Sequence, residues 1–432
     1  MTSSELNPLA PWEGQLPTDW DRCRLDAVAD VLFSNVDKHT LDEETPVRLC
    51  NYVDVYKNGR ITDTIDFMEA SAEPREISKF QIVRGDVLVT KDSETPDDIA
   101  IAAMVAQELP GVLCGYHLAL IRPRSRRVSG TFLYWLHASK AFRAQYEAKA
   151  VGVTRWGLSQ HAFRELLIPL PPLPEQERIA AYLDASCAAI DAAVSAKRRQ
   201  LETLDAILQA SLHRAFANEG WPRERVKDLA SKIGSGVTPE GGATGYLSEG
   251  IPLLRSQNIH FDGMRLDDVA FISEETHAEM SNSQLKPRDV LLNITGASIG
   301  RCTFVPENFG EGNVNQHVCI IRGNHKIDHR FLAAFLSSPM GQGQVLSSFT
   351  GASRQGLSHK ELGLINIPLP SIGVQRSVVA EIERQRSQQK QVRDHIGSQI
   401  DVLVAYRKSL IHECVTGQRR STETATSDMM LP

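Results

Sequence analysis

The chain has 432 residues, of which 42% are hydrophobic and 23% charged; this is ordinary for a globular protein with several cores and excludes a disulfide-stapled peptide. We find neither a run of the ~18 apolar residues that a membrane span needs nor a secretory signal, so we expect a cytoplasmic protein without membrane contact. The formal net charge of -6 excludes a chain that is basic overall, so any nucleic-acid-binding surface must be positive locally.

Two mixed segments alternate with two helical ones. After an N-terminal extension over 1–19, we predict a first mixed domain over 20–173, because short β-branched runs such as 87–89 and 118–121 lie between turn residues. A helical segment follows over 174–217, then a second mixed domain over 218–371 and a second helical segment over 372–418. The polar tail over 419–432 is expected to be disordered. The predicted fold class is α+β, with two tandem domains of substantial β-sheet, each followed by a long helix.

The two halves repeat each other. GVTRWGLS at 152–159 matches GASRQGLS at 351–358, and IPLPPLPEQERI at 168–179 matches IPLPSIGVQRSV at 367–378, both at a shift of 199 residues. GDVLVT at 85–90 is similar to RDVLLN at 288–293, and GYHLALIR at 115–122 is similar to NQHVCIIR at 315–322. Several features in register indicate a duplication of one domain, with divergence in the central portions.

Apolar residues recur in both helical segments at spacings typical of a coiled-coil seam. These residues are Ile179, Leu183, Ile190, Val194, Leu201, Leu204 and Leu208 in the first segment, and Val378, Ile382, Val392, Ile396, Ile400 and Leu403 in the second. Each helix would be about 60 Å long at ~1.5 Å per residue, more than one small domain can cover. We therefore predict that the two helices pair as an antiparallel coiled coil. The alternative is that each packs only on its own domain.

Taken together, these features resemble the DNA-specificity subunit of type I restriction-modification enzymes. That family has two target-recognition domains, each ending in a G-x-[ST]-R-x-x-L-S segment and an IPLP-x-x-x-x-x-Q strap. Here these are Gly152 to Ser159 with Ile168 to Gln176, and Gly351 to Ser358 with Ile367 to Gln375. IGSGVTPEGG (233–242), IPLLRSQNI (251–259) and SLIHECVTGQ (409–418) extend the resemblance to roughly residues 20–418. The second strap departs from the first, because the glutamate before its glutamine is missing.

The resemblance implies a non-catalytic subunit that selects a bipartite, asymmetric DNA site. Each recognition domain would read one half-site of double-stranded DNA, and the helix pair would set the spacing. Two methyltransferase subunits and two restriction and translocase subunits would be its partners. S-adenosylmethionine, ATP and Mg would be held by those partners, with no cofactor bound by this chain. Two rivals stay open: a modification-only or orphan specificity chain, and a helix-mediated scaffold protein without DNA reading.

Motifs for independent chemistry are missing from the sequence. GSGVTPEGG and TGASIG (295–300) have the glycines of a phosphate-binding loop, but no G-K-[ST] follows. A methyltransferase would need a cofactor glycine loop and an Asn- or Asp-Pro-Pro-aromatic motif, and neither occurs. The seven cysteines form no C-x-x-C pair, which argues against a zinc site or a disulfide framework. We predict no catalytic residue and no metal site.

Candidate DNA contacts fall into three groups. The repeated G-x-[ST]-R loops combine close backbone approach with short-range donors, at Thr154, Arg155, Ser353 and Arg354. The basic run IRPRSRR could meet phosphates through Arg122, Arg124, Arg126 and Arg127. Polar groups near strand ends that could read base edges are Tyr116, His117, Gln257, Asn258, Asn293, Thr295, Asn315, Gln316 and His317. Structural roles are the alternatives: a solvated basic turn, an arginine bracing the strap, and a shared structural role for the matched histidines.

Overall fold

The computed structural model describes residues 16–124, 127–238, 245–349 and 356–420. It confirms the α+β class. The chain divides into two compact units, residues 1–196 with 398–432 and residues 197–397. Each unit contains one mixed domain and parts of both long helices. The division between the units falls within each long helix, at residues 196–197 and 397–398.

In the first mixed domain, the central sheet has the strand order β2-β10-β6-β8-β4. Residues alternate between its two faces: Val87 and Val89 of β6 pack toward α3, whereas Leu88 packs toward the sheet β5-β3-β9. Both faces are therefore buried, as the apolar runs indicate. The elements are β1 (Asp21–Arg24), β2 (Ala29–Phe33), β3 (Thr45–Cys50), α1 (Tyr52–Lys57), β4 (Arg60–Ile61), β5 (Met68–Ala72), α2 (Pro74–Phe80), β6 (Val87–Thr90), β7 (Asp92–Ser93), β8 (Ala102–Val105), β9 (Val112–Cys114), β10 (Leu118–Pro123), α3 (Gly130–Ala138), α4 (Lys140–Glu147), β11 (Val151–Gly152), β12 (Trp156–Gly157), α5 (Gln160–Arg164) and β13 (Leu167–Leu170).

The long helix α6 (Leu173–Phe216) leads to a second domain built around the sheet β15-β23-β20-β21. Val290 and Leu292 of β20 pack toward α9, and Leu291 packs on the opposite face, which repeats the first domain. The elements are β14 (Arg223–Arg225), α7 (Val226–Leu229), β15 (Ala230–Ser235), β16 (Ile251–Leu254), β17 (Ile259–His260), β18 (Gly263–Met264), β19 (Ala270–Ile272), α8 (Glu274–Glu279), β20 (Val290–Asn293), β21 (Cys302–Phe304), β22 (Asn313–Val314), β23 (Val318–Gly323), α9 (His329–Ser337), α10 (Pro339–Phe349), α11 (His359–Gly363), β24 (Asn366–Pro368) and the second long helix α12 (Ile372–Val415).

A buried ion pair is repeated in the two domains. Arg122 donates to both carboxylate oxygens of Asp86, at 2.9 and 2.6 Å, and to the carbonyl of Gln81. Arg322 binds both oxygens of Asp289 in the same way, each at 2.7 Å. Hydrogen bonding to these carboxylates raises the pKa of both guanidinium groups. The pair therefore ties the start of one central strand to the end of its neighbour in each domain.

The strap glutamines also have the same contacts in both halves. Gln176 accepts from the Ser129 amide at 2.9 Å and donates to the carbonyls of Arg127 and Pro171. Gln375 accepts from the Asp328 amide at 2.8 Å and donates to the carbonyls of Lys326 and Pro370. Each fully buried amide thus joins its strap to the loop before α3 or α9, which explains the repeated glutamine of the IPLP motif.

Only the first strap has a glutamate before its glutamine. Glu175 is buried and accepts from the Trp20 indole at 3.1 Å and from Arg420 at 3.2 Å. Val374 occupies the matching position in the second strap and is exposed. Glu175 therefore connects the first strap to Trp20 and Arg420, near the two ends of the described chain, and the second strap lacks this carboxylate.

The long helices pair in both units, as predicted. In the first unit, Ile190 and Val194 share a buried cluster with Leu410 and Ile411, and Asp191 pairs with Arg407 at 3.0 Å. In the second unit, Leu212 shares a cluster with Val379 and Ile382, and Asp205 pairs with Arg393. Within the second unit, the contacts advance along α6 from Asp205 to Leu212 while they go back along α12 from Arg393 to Ile382. Such matched steps in opposite directions define an antiparallel pair.

The predicted seam is wrong at one position and imprecise at another. Val392 is 46% exposed, whereas Ile396, one turn further along the helix, is buried. Near the start of α12, Val379 lies in the core and Val378 only packs against it. Leu201, Leu204 and Leu208 are half-buried, as are Ile400 and Leu403. The remaining residues of the first stripe are buried and belong partly to the core of the first domain.

The helix α6 is long and apolar enough to cross a membrane, but buried core helices have the same length and composition, so this is weak evidence for a membrane span.

Candidate nucleic-acid interface

One polar cluster lies where β6 ends and β10 begins. The short strand β7 follows β6 directly and pairs with β12, which in turn pairs with β11. The turn between β11 and β12 carries Thr154 and Arg155, both exposed. Gly152 is required there, because a Cβ at this position would lie 2.0 Å from the Arg155 carbonyl oxygen. The turn is thereby held close to β7 and the residue before β10.

A single carboxylate joins two of the predicted residues. Asp92 accepts from Arg155 Nη2 at 2.5 Å through one oxygen and lies 2.8 Å from His117 Nδ1 through the other. Its side chain is 16% exposed, whereas that of Arg155 is 59% exposed. The pKa of Arg155 is raised by this contact. Asp92 therefore holds an exposed guanidinium and an imidazole side by side at the surface.

An aromatic ring and a lysine extend this cluster. Tyr116 is exposed, and its ring packs edge-on against His117 with the centroids 4.9 Å apart. Lys91 Nζ lies 4.6 Å from the Tyr116 ring centroid and 4.9 Å from that of Phe33. Burial lowers the pKa of Lys91. We call Lys91, Asp92, Tyr116, His117 and Arg155 the first cluster.

The second domain has a matching cluster with different side chains. Thr295 lies at the position of Asp92, and its hydroxyl is 2.6 Å from His317 Nδ1. The Gln316 amide donates to His317 Nε2 at 2.9 Å. Because Nε2 accepts, Nδ1 carries the proton and donates to Thr295, which leaves the threonine hydroxyl hydrogen available to another acceptor. We call Thr295, Gln316 and His317 the second cluster; Ser353 and Arg354 lie outside the described residues.

Three predicted amide side chains of the second domain are buried braces. Asn258 donates to the carbonyl of Arg265 at 2.8 Å, and Asn293 to that of Ser256 at 2.8 Å. Asn315 accepts from the His317 amide at 3.1 Å. All three are 6% exposed or less, so we correct their predicted role from base reading to support of the loops. Gln257 is exposed, but its amide is bonded to the Asp268 carboxylate.

The basic run lies at the other end of β10 from His117. The six residues of this strand span about 17 Å at ~3.3 Å per residue. Arg122 is committed to the buried Asp86, and Arg124 pairs with Asp30 at 2.7 Å. We therefore remove both arginines from the candidate DNA contacts, Arg122 because a buried carboxylate holds it and Arg124 because it lies at the end of β10 away from His117. Arg127 is exposed, and Arg126 lies outside the described residues.

Sequence reasoning missed Asp92 and Lys91. The signal was present in the repeat, because GDVLVTKD at 85–92 aligns with RDVLLNIT at 288–295 and sets Asp92 against Thr295. A lone aspartate after a strand has no pattern of its own, so only its contacts identify it.

Among the described residues, no group of three or more His, Cys, Asp or Glu could hold a metal ion. The buried cysteines have raised pKa values, about 11 for Cys187 and about 12 for Cys302, because burial disfavours the thiolate.

The chain is similar to specificity subunits of type I restriction enzymes. A family model described as the type I restriction modification DNA specificity domain matches residues 17–203. The specificity subunit of the type I restriction enzyme EcoBI from Escherichia coli is 27% identical over 280 residues, 58% of each chain. The putative MjaX specificity subunit of Methanocaldococcus jannaschii is 21% identical over 407 residues, 86% of this chain and 87% of that protein.

Solved structures show the same fold. The HsdS subunit from Thermoanaerobacter tengcongensis has a TM-score of 0.55 at 20% identity, covering 94% of this chain and 98% of that one. A chain from work on complex assembly and conformational transition of the type I R-M system has a TM-score of 0.76 at 20% identity, covering 94% and 99%. Residues 17–203 therefore match the type I restriction modification DNA specificity domain, and the chain as a whole has the fold of the solved HsdS subunit.

Proposed function

We propose that this chain selects a bipartite, asymmetric DNA site for a type I restriction-modification complex, with one half-site read by each domain. The observation that carries this proposal is the recurrence of a polar cluster at the same place in two duplicated domains. Asp92, His117 and Arg155 are joined in one domain, and Thr295, Gln316 and His317 in the other. The shared position suits a common DNA-facing role, and the different side chains suit different half-sites.

The chemistry of the two clusters differs in a way that matters for base reading. An arginine guanidinium matches the O6 and N7 acceptors of guanine in the major groove. The second cluster has no arginine among its described residues and offers a threonine hydroxyl instead, a group that can contact more than one base. Lys91 adds a cation beside the first cluster, which would favour a nearby phosphate.

The helix pair is the proposed docking element for partner subunits. Exposed apolar side chains interrupt its polar surface, at Val402 and Tyr406 in the first unit and at Val392 in the second. We assign them to two methyltransferase subunits, with two restriction and translocase subunits joining the complex. S-adenosylmethionine, ATP and Mg would be bound by those subunits, and the helix length would set the half-site spacing.

The test is binding of the purified complex with its methyltransferase subunits to a panel of duplexes at several salt concentrations. The proposal predicts selective binding to one split motif, with affinity falling as salt rises because phosphate contacts release counterions. A complex that assembles but binds all duplexes equally would favour the scaffold alternative. Methylation of the selected motif, with no cleavage after the restriction subunits are added, would identify a modification-only chain.

A further inference from the structure

In the first unit, two aromatic residues fill the space between α3 and the long helices. Tyr134 and Trp135 are both buried. The Trp135 indole donates to Asp184 of α6 at 2.9 Å, and the Arg60 guanidinium lies 4.1 Å from the Tyr134 ring centroid. Arg407 of α12 lies 5.9 Å from the Trp135 ring centroid. This unit therefore closes the space with its own side chains.

The second unit has alanines at the matching positions. HRFLAAFLS of α9 aligns with GTFLYWLHA of α3, which sets Ala333 and Ala334 against Tyr134 and Trp135. The same shift of 199 residues sets Leu208 against Arg407. Without the aromatic rings, a cavity of about 1230 Å³ remains, lined by α9, both long helices and the β17–β18 hairpin. Its apolar lining includes Leu208, Leu212, Ala333, Ala334, Val379 and Ile382.

The cavity is too long for a small ligand. It follows α12 from Val379 to Asp394, sixteen residues whose fifteen steps span about 22 Å at ~1.5 Å per residue. A length of this kind suits several consecutive residues of a polypeptide. The equivalent space in the first unit shows which group fills it best, namely an aromatic side chain.

Charge in the cavity favours an acidic occupant. Five cationic side chains but three carboxylates line it. Arg386 is half-buried, donates to the Ser337 hydroxyl at 3.1 Å, and has a pKa lowered by burial. Glu383, the nearest carboxylate on its own helix, is paired with Arg330 at 3.6 Å. A buried cation is costly unless an anion accompanies it, so a carboxylate beside Arg386 would stabilise the bound state.

We propose that this cavity is a docking site for a segment of the methyltransferase subunit that inserts an aromatic side chain over Ala333 and Ala334 and places a carboxylate against Arg386. The choice of partner rests on the proposed function. Because the buried Tyr134 and Trp135 of the first unit occupy the positions of Ala333 and Ala334, we assign the site to the second unit. The second unit would therefore hold its methyltransferase subunit by a contact that the first unit lacks.

The test is the Ala334→Trp substitution in the full chain, which restores the aromatic ring of the first unit. We expect a folded chain with an unchanged or higher melting temperature, and binding of one of two methyltransferase subunits weakened at least tenfold. Arg386→Met, which removes the cation and retains most of the volume, should weaken the same binding step. Ala278→Trp adds equal bulk on exposed α8, away from the cavity, and is the matched control.

Mass photometry across a methyltransferase titration separates the outcomes. If the unmodified chain binds no methyltransferase subunit, the proposed function fails. If the unmodified chain binds two and Ala334→Trp binds two with unchanged affinity, the docking site alone is overturned. Should Ala334→Trp fail to fold, unchanged binding by Arg386→Met overturns it instead.

Discussion

Substitution of Arg155 by alanine tests the first cluster most sharply. Its guanidinium is 59% exposed and joined to Asp92 at 2.5 Å. An exposed ion pair contributes at most about 1 kcal/mol to stability, and Asp92 keeps its His117 contact, so the free energy of unfolding should change by less than ~1 kcal/mol. A guanidinium that reads a base contributes about 1–3 kcal/mol of discrimination, so affinity for the target should fall about 5- to 150-fold.

Arg124→Ala is the matched control. Arg124 pairs with Asp30 at 2.7 Å and is 54% exposed, so it resembles Arg155 in charge, pairing and exposure. It lies beyond the end of β10 that is opposite to His117. We expect its removal to leave target affinity unchanged.

The assay is fluorescence anisotropy of the complex with methyltransferase subunits on a target duplex and on duplexes changed at single base pairs. If Arg155 reads a base, Arg155→Ala loses discrimination at one position with an unchanged salt dependence. If it contacts a phosphate, the slope of log affinity against log salt becomes shallower by about 0.9. Equal target affinities for the Arg155→Ala and Arg124→Ala complexes would refute the assignment.

Three further predictions follow from other contacts. Asp92→Asn should loosen Arg155 and His117 and lower target affinity, and it should strengthen non-specific DNA binding because it removes a negative charge. The control is Asp98→Asn, which changes a carboxylate bonded to Tyr56 and should leave target preference intact. Identical effects of the two substitutions would contradict a positioning role for Asp92. Arg322→Met leaves the Asp289 carboxylate buried without its cation, so the free energy of unfolding of the second unit should fall by about 3–5 kcal/mol in urea denaturation. A decrease below ~1 kcal/mol would show that the ion pair is dispensable. Burial lowers the pKa of His137 from 6.5 to about 4, so the free energy of unfolding should decrease by up to about 3 kcal/mol as pH falls from 6.5 toward 4. His137→Gln should flatten this pH dependence. An unchanged pH profile in the variant would contradict the prediction.

The duplication could be predicted from sequence because it repeats whole motifs in register. The straps and the two long helices follow from it. The structure then gives physical reasons for the repeated residues, for example the buried contacts of Gln176 and Gln375. Arg122 is another such repeated residue, because Arg322 has the matching position and forms the same ion pair in the second domain.

The role of individual polar residues could not be predicted in the same way. An asparagine beside a strand end has the same sequence context whether it reads a base or braces a loop, and Asn258, Asn293 and Asn315 are braces. The stripe on α12 fails around Val392 because the preceding stretch RQRSQQKQ contains no apolar residue that would fix its phase. The cavity beside Ala334 depends on side-chain volumes in α9, both long helices and the β17–β18 hairpin, which no linear pattern reports.

The most direct test of the central claim is single-molecule sequencing of host DNA for N6-methyladenine, with the gene for this chain intact and deleted. The account predicts that one split, asymmetric motif is methylated in the intact strain and loses its methylation on deletion. Restoring the gene with Arg155→Ala should leave this motif undermethylated, whereas Arg124→Ala should restore it. An unchanged methylation map after deletion would contradict the claim that this chain selects the DNA sequence.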